Sequence, residues 1–456
     1  MDANRVLPGS LIVFRRTGIA SRRTGRIVAL VVFAICASAI DWGRGLVSPS
    51  SLHRSDADAS VRLPGGAIFT SEIGWKSGQD VTQQLRGVAQ HSLQDGGTLV
   101  LEHTYKLKSG SRILLPPGVV LAAVQGAGFD IVTAEASNRP ALLMSDGSTL
   151  DNITITASGA PDTGYTGMLP DVGIDYHSAR AIGIQNADNV TISNSSFSGN
   201  IDQFLDVDNS NNLMVTDTHF YGARTQVMLG GDVADATFLR VHFERALGDG
   251  IKTLDGGVIV RPTVIDSLFE DNARDGIDTT GGFKDGLIKD TVFYNNSSAL
   301  DIKTIIDNPN DLQFKDINSN ITLDGVYIFG SGNGIVTTFE DRIGAVTAAM
   351  ADDYIPHDIT VTNTTFENVG RPFLIKDGYD ITWSDVTFRN VYHDGADAAR
   401  IMNVNAPDGW ERLRRNLRNV AGKHFVAPAR SPSVTLLWNR SVGPRPNGRD
   451  YFESIK

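Results

Sequence analysis

Asn189-Val-Thr-Ile-Ser-Asn-Ser-Ser-Phe197 sets a pattern that recurs through much of this 456-residue chain. Copies follow at Leu213-Met-Val-Thr-Asp-Thr-His-Phe220, Phe238-Leu-Arg-Val-His-Phe243, Thr263-Val-Ile-Asp-Ser-Leu-Phe269 and Leu287-Ile-Lys-Asp-Thr-Val-Phe293, with weaker ones ending at Tyr327, Phe366 and Phe388. The aromatic positions lie 23, 23, 26, 24, 34, 39 and 22 residues apart. Three residues before each stands Asn194, Asp217, Arg240, Asp266, Asp290, Asp324, Asn363 or Asp385. Apolar residues alternate within each copy, as short half-buried strands require. A fixed period with one such unit per repeat is the signature of a solenoid, so the expected fold is an all-β right-handed parallel β-helix. Stacking would put the aromatics in an internal ladder and the Asn or Asp residues at turns, where short polar side chains bond the backbone.

Composition agrees with that reading. Gly contributes 46 residues, which suits many tight turns, and the formal net charge is −11, which lacks the basic footprint of a nucleic-acid binder. The one cysteine, Cys36, permits neither a disulfide framework nor a cysteine metal site. No nucleotide loop, Ser-His-Asp order or zinc spacing stands out, and the histidines read as scattered.

Arg5, Arg15, Arg16, Arg22, Arg23 and Arg26 precede the apolar run Ile27–Ile40, which contains Ala37-Ser38-Ala39. Fourteen residues at ~1.5 Å each fall short of a ~30 Å hydrocarbon core, so the segment reads as a signal peptide, with an uncleaved inner-membrane anchor as the alternative. The organisation expected is 1–39 signal segment, 40–59 linker, 60–395 β-helix and 396–456 C-terminal cap and tail. Trp410–Val420 reads as a capping helix, and 340–356 as a loop with a short helix. The whole reads as an exported monomer, periplasmic or extracellular.

Upstream of the repeats, Asp80–Leu93 reads as an amphipathic helix that covers the first coil. Gly96-Gly-Thr-Leu-Val-Leu and Leu114-Leu-Pro-Pro-Gly-Val-Val-Leu follow it. This stretch resembles the opening of pectin-lyase-like proteins, whose fold serves lyases, hydrolases, epimerases and phage tailspikes. The fold alone therefore does not fix the reaction.

A second string lies between the Phe copies: Phe204-Leu-Asp-Val-Asp208, Thr225-Gln-Val-Met228, Gly248-Asp-Gly-Ile-Lys252, Arg274-Asp-Gly-Ile-Asp278 and Ala299-Leu-Asp-Ile-Lys303. Aligning Val207, Val227, Ile251, Ile277 and Ile302 as inward residues leaves Asp206 and Asp208, Gln226 and Met228, Gly250 and Lys252, Gly276 and Asp278, and Asp301 and Lys303 outward. With coils ~4.8 Å apart, Lys252, Asp278 and Lys303 should lie within about 10 Å of each other. Gly250 and Gly276 would clear room for a sugar ring. A solvated salt-bridge ladder is the competing structural reading. Asp249, Asp275 and Asp278 offer oxygen ligands of the kind Ca²⁺ takes. Asp301, Asp206, Asp208 and Gln226 are the candidate substrate contacts.

Arg274-Asp-Gly-Ile-Asp278 resembles the DDGxD calcium motif of pectate lyases in polysaccharide lyase family nine, with Arg274 in place of the first Asp. The resemblance implies Ca²⁺-assisted β-elimination on an anionic, uronate-containing polysaccharide. Arg274 would help neutralise the sugar carboxylate and Lys303 would be the base, with Lys252 as rival because its Gly-Asp-Gly context is nearer the family's lysine string. C5-epimerisation begins with the same proton abstraction, with Tyr176-His177 as a possible acid, although the DPH signature of mannuronan epimerases is absent. An inverting hydrolase would use paired carboxyls, but the GHG string of polygalacturonases is absent too. A non-catalytic carbohydrate-binding solenoid should show an aromatic groove instead of this charged column.

Overall fold

The computed structural model describes residues 66–423 except 95, 133–138, 158–165, 170–173, 255, 348–349, 390–398 and 402–420; at 166–169, 174–178, 399–401 and 421–423 it describes backbone alone. The signal segment and the expected Trp410–Val420 helix lie outside these residues. Among them no helix is long and apolar enough to cross a membrane.

Among the described residues the repeat becomes three sheets of 13, 13 and 11 strands, called here A, C and B respectively, parallel throughout except where Thr166–Leu169 pairs antiparallel with Ile174–Gln185 in sheet C. A typical coil runs from sheet A (Thr191–Ser193) to sheet B (Ser196–Gly199) to sheet C (Ile201–Asn211), and the next coil stacks on it in register. The single right-handed direction of this winding follows the general preference of parallel crossovers.

The corner between sheets A and B explains the recurring Asn and Asp. Asn194, Asp217, Arg240, Asp266, Asp290, Asn363 and Asp385 all have φ between 48° and 55°. Asn and Asp adopt this left-handed conformation more readily than other non-glycine residues. Arg240 is the exception in type, and its guanidinium holds Asp217 on the coil before at 2.6 and 2.7 Å. The following Ser or Thr bonds back across the corner, as in Ser195 Oγ to the Ser193 carbonyl at 2.7 Å and Thr218 Oγ1 to the Thr216 carbonyl at 2.8 Å.

Phe197, Phe220, Phe243, Phe269 and Phe293 form the expected ladder, each fully buried, with successive ring centroids 4.8, 5.4, 4.5 and 4.8 Å apart. The next rung corrects the repeat: Ile328, not Tyr327, pairs with Phe293, and the left-handed corner residue is Gly325 at φ 69° instead of Asp324. Tyr327 faces outward and donates to Glu367 Oε2 at 2.9 Å. The ladder resumes with Phe366 and Phe388, 5.4 Å apart.

Helix α1 (Thr82–His91) lies within the expected span, and the flanking Val81 and Leu93 join its Leu85 in the common core. Among the described residues, the insertion after Asp341 contains one short 3₁₀ turn, Ala351–Asp353, as expected. It has its own small core, where Tyr354 packs with Ile306, Phe339 and Tyr379.

Phe269 lies between two stacked rings, so Phe269→Ala should cost about 3–5 kcal/mol. Denaturant midpoints will show this as a large loss, whereas Met214→Ala, at a residue 39 % exposed, should change stability by no more than about 0.5 kcal/mol.

Candidate active site

Sheet C carries the second string. Long strands, Ile201–Asn211 and Thr225–Ala234 on one side and Ser298–Ile306 and Asn333–Asp341 on the other, flank two short ones, Asp249–Thr253 and Asp275–Asp278. The candidate residues gather on these short strands and their neighbour.

The register differs from the string alignment. Ile251 pairs with Ile277, and Ile277 pairs with Leu300 instead of Ile302. The outward column is therefore Asp206, Met228, Lys252, Asp278 and Asp301, while Lys303 stands two residues further along and pairs with Thr338. Lys303 still reaches back to the cluster.

Asp278 is its centre. Its Oδ2 accepts from Lys252 Nζ and lies 2.9 Å from Lys303 Nζ, and its Oδ1 accepts from Thr280 Oγ1 at 2.8 Å. Burial alone would raise its pKa, but the ammonium groups of Lys303 and Lys252 outweigh it and hold the carboxyl below its usual range. Lys303 also lies 3.3 Å from Asp301, and Lys252 lies 3.6 Å from Asp249. Burial would push Lys303 down, but Asp278, Asp301 and Asp275 together push it up and keep it protonated. That opposes the lowered pKa expected of a lysine base.

The remaining carboxyls shift the other way. Burial raises Asp249 and Asp301 despite their lysine neighbours. Asp275 is raised well above its usual range: burial acts first, and the carboxylates of Asp249, Asp301 and Asp278 reinforce it. Asp301 Oδ1 is buried and has no hydrogen-bond partner among the described residues. An unsatisfied buried oxygen of this kind calls for a proton or a ligand.

Ligand oxygens of Asp249, Asp275 and Asp278 lie within 4.8 Å of one another. In donor type and spacing they fit a hard divalent cation. Oδ2 of Asp278 already meets both ammonium groups, so such a cation would compete with them there or bind Oδ1, which accepts only from Thr280.

Other candidates are placed elsewhere or differently. Asp206 is held by Arg180 at 2.7 Å, upstream of the cluster. Asp208 leans over the next coil: a Cβ at Gly231 would fall 2.3 Å from its Oδ1. Arg274 sits at the turn immediately before Asp275 and is half-buried. Gln226 is not an outward substrate contact. It is fully buried, and its Nε2 donates to the carbonyls of Phe220, Gly222 and Glu244 at 3.2, 3.1 and 2.7 Å. Tyr176-His177 lies among residues whose side chains are not described.

The glycines also face inward. A Cβ at Gly250 would fall 2.8 Å from a Phe269 ring carbon, and one at Gly276 would fall 2.6 Å from a Phe293 ring carbon. They make room for the Phe ladder, not for a sugar. The histidines correct another expectation: His219 and His242 stack with centroids 4.6 Å apart, and with Glu244 they form a second possible ligand group on sheet B. Their 23-residue separation, one coil, was the available signal.

Gly276→Ala should therefore destabilise the protein by about 1–3 kcal/mol through overpacking. The double variant Gly276→Ala/Phe293→Leu should recover part of that loss in a thermal melt. A raised carboxyl pKa favours folding below the unfolded value of about 3.9 and loses that contribution as pH rises. Asp275→Asn should accordingly raise the melting temperature at pH 8 and change it little at pH 4.

A family model described as right handed beta helix region matches residues 118–298 and 180–340. No curated protein matches the sequence. PfbA, a surface adhesin of Streptococcus pneumoniae, is similar at 15 % identity and a TM-score of 0.51, covering 82 % of this chain and 95 % of that one. An exopolygalacturonase from Thermotoga maritima gives 13 % and 0.49, covering 72 % and 88 %. A PL6 alginate lyase gives 13 % and 0.45, covering 84 % and 88 %. Identity this low speaks for the fold alone, and on sheet order, register and family match together this chain is a right-handed parallel β-helix.

Proposed function

We propose that the chain is a glycan-cleaving enzyme, acting on an acidic polysaccharide by carboxyl acid–base chemistry on sheet C. The observation that carries the reading is the division of labour around Lys303. Its ammonium group is fixed between Asp278 and Asp301 at 2.9 and 3.3 Å, whereas Asp301 Oδ1 has no hydrogen-bond partner among the described residues and the Asp275 carboxyl is pushed well above its usual range by burial and the neighbouring carboxylates.

In this reading Asp275 gives its proton to the glycosidic oxygen, and the developing alcohol leaves. Asp301 Oδ1 takes a proton from the water whose oxygen bonds the anomeric carbon as the glycosidic C–O bond breaks. Asp249 and Asp278 hold the lysines, and Lys252, Lys303 and Arg274 offer positive charge to a sugar carboxylate.

Ca²⁺-assisted β-elimination is the second reading, favoured by the spacing of the Asp249, Asp275 and Asp278 oxygens. Bound there, Ca²⁺ would neutralise the uronate carboxylate. Lys303 would then need to lose its proton before acting as base, and Lys252 remains its rival. An exported location, inferred from Ile27–Ile40, would place either activity on polymer outside the cytoplasm.

Pectate, alginate, glucuronan and bacterial exopolysaccharides should be incubated with the purified chain, with and without chelator. New reducing ends without the ultraviolet absorbance of an unsaturated uronate, unaffected by chelation, are expected. Asp275→Asn should lower kcat by about 10²–10⁴-fold. Chelator-sensitive ultraviolet absorbance would transfer the assignment to elimination. Proton exchange at C5 without cleavage would mean epimerisation, and saturable binding without turnover would remove the enzymatic reading.

A further inference from the structure

We infer that sheet B carries a binding site for a late first-row divalent cation of the Zn²⁺ class, built by His219, His242 and Glu244 with Glu270 beside them. These residues belong to three successive coils, and the register pairs His219 with His242 and Glu244 with Glu270. Ligand atoms of His219, His242 and Glu244 all lie within 4.8 Å of one another. His219 Nε2 lies 3.0 Å from Glu244 Oε2, and His242 Nε2 lies 3.0 Å from Glu270 Oε2.

Several features suit a metal better than a chance surface ladder. The imidazoles stack at 4.6 Å with only 15° between their planes, and each Nε2 meets a glutamate of the coil that follows its own. Glu244 and Glu270 pair across adjacent strands, with Arg245 3.6 Å from Glu244, and bring two carboxylates to the imidazole nitrogens. Two imidazoles with one or two carboxylates is a donor set for Zn²⁺ and its neighbours, unlike the all-oxygen group on sheet C. The four side chains are only 20–31 % exposed, so part of their desolvation is already made in the fold. Zn²⁺ here would tie consecutive coils through bonds of ~2.0–2.2 Å, closer than the present contacts.

The test uses the full chain, stripped of metal by chelation and titrated with Zn²⁺ in a calorimeter. One equivalent should bind and raise the melting temperature. His242→Ala and Glu244→Gln should each weaken binding by at least about tenfold, with metal-free melting temperatures near that of the parent. Co²⁺ in place of Zn²⁺ should give the strong visible absorption of a tetrahedral site. Failure to bind, a weak octahedral Co²⁺ spectrum, or binding abolished by Asp278→Asn but retained by His242→Ala would overturn the proposal. If the histidine variant does not fold, Glu244→Gln and the Co²⁺ spectrum still decide it.

Discussion

Parallel stacking of one coil on the next is the constraint from which everything else follows. Each coil contacts only its neighbours, so residues about 23 apart in sequence become lateral partners a few ångströms apart. The interior must then accept the same kind of side chain at the same place many times. Phe197 through Phe293 do this at centroid spacings of 4.5–5.4 Å, and the left-handed corner residues set each ring's position. The glycines at 250 and 276 belong to the same solution, because each lies against a ladder ring.

This constraint explains which parts of the molecule were legible in the sequence. The coils, the ladder and the α1 helix were readable because each is written as a period or an apolar spacing. Register was less so. A two-residue slip leaves every side chain on its original face, so Ile302 passed for the partner of Ile277 although Leu300 takes that place. At Tyr327 a one-residue slip exchanged the faces, and the corner glycine, Gly325, was the local signal of the true phase.

The candidate site was legible in membership more than in role. Lys252, Asp278 and Lys303 do meet, since lysine and long carboxylate side chains span the offset that the register introduces. What strings of letters do not carry is burial. Gln226 and Gly276 look outward by alternation because strict alternation breaks where Phe204 and Leu205 both turn into the core. His219 and His242 were overlooked for a related reason: metal spacing is usually sought within one strand or helix, whereas in a solenoid one coil length is the short distance.

The charge arrangement on sheet C has a consequence for function. The coils would stack as well with small polar residues at these positions, as Ser298 and Asn333 show on the strands that follow. Four carboxyls share the cluster with two lysines, and Asp275 lies where three of its neighbours oppose its ionisation. Packing does not require that repulsion, and the corner bonds and the ladder already fix the register without it. Carboxyls whose ionisation is opposed this way, on the short strands of an otherwise repetitive sheet, are better explained by chemistry than by the fold.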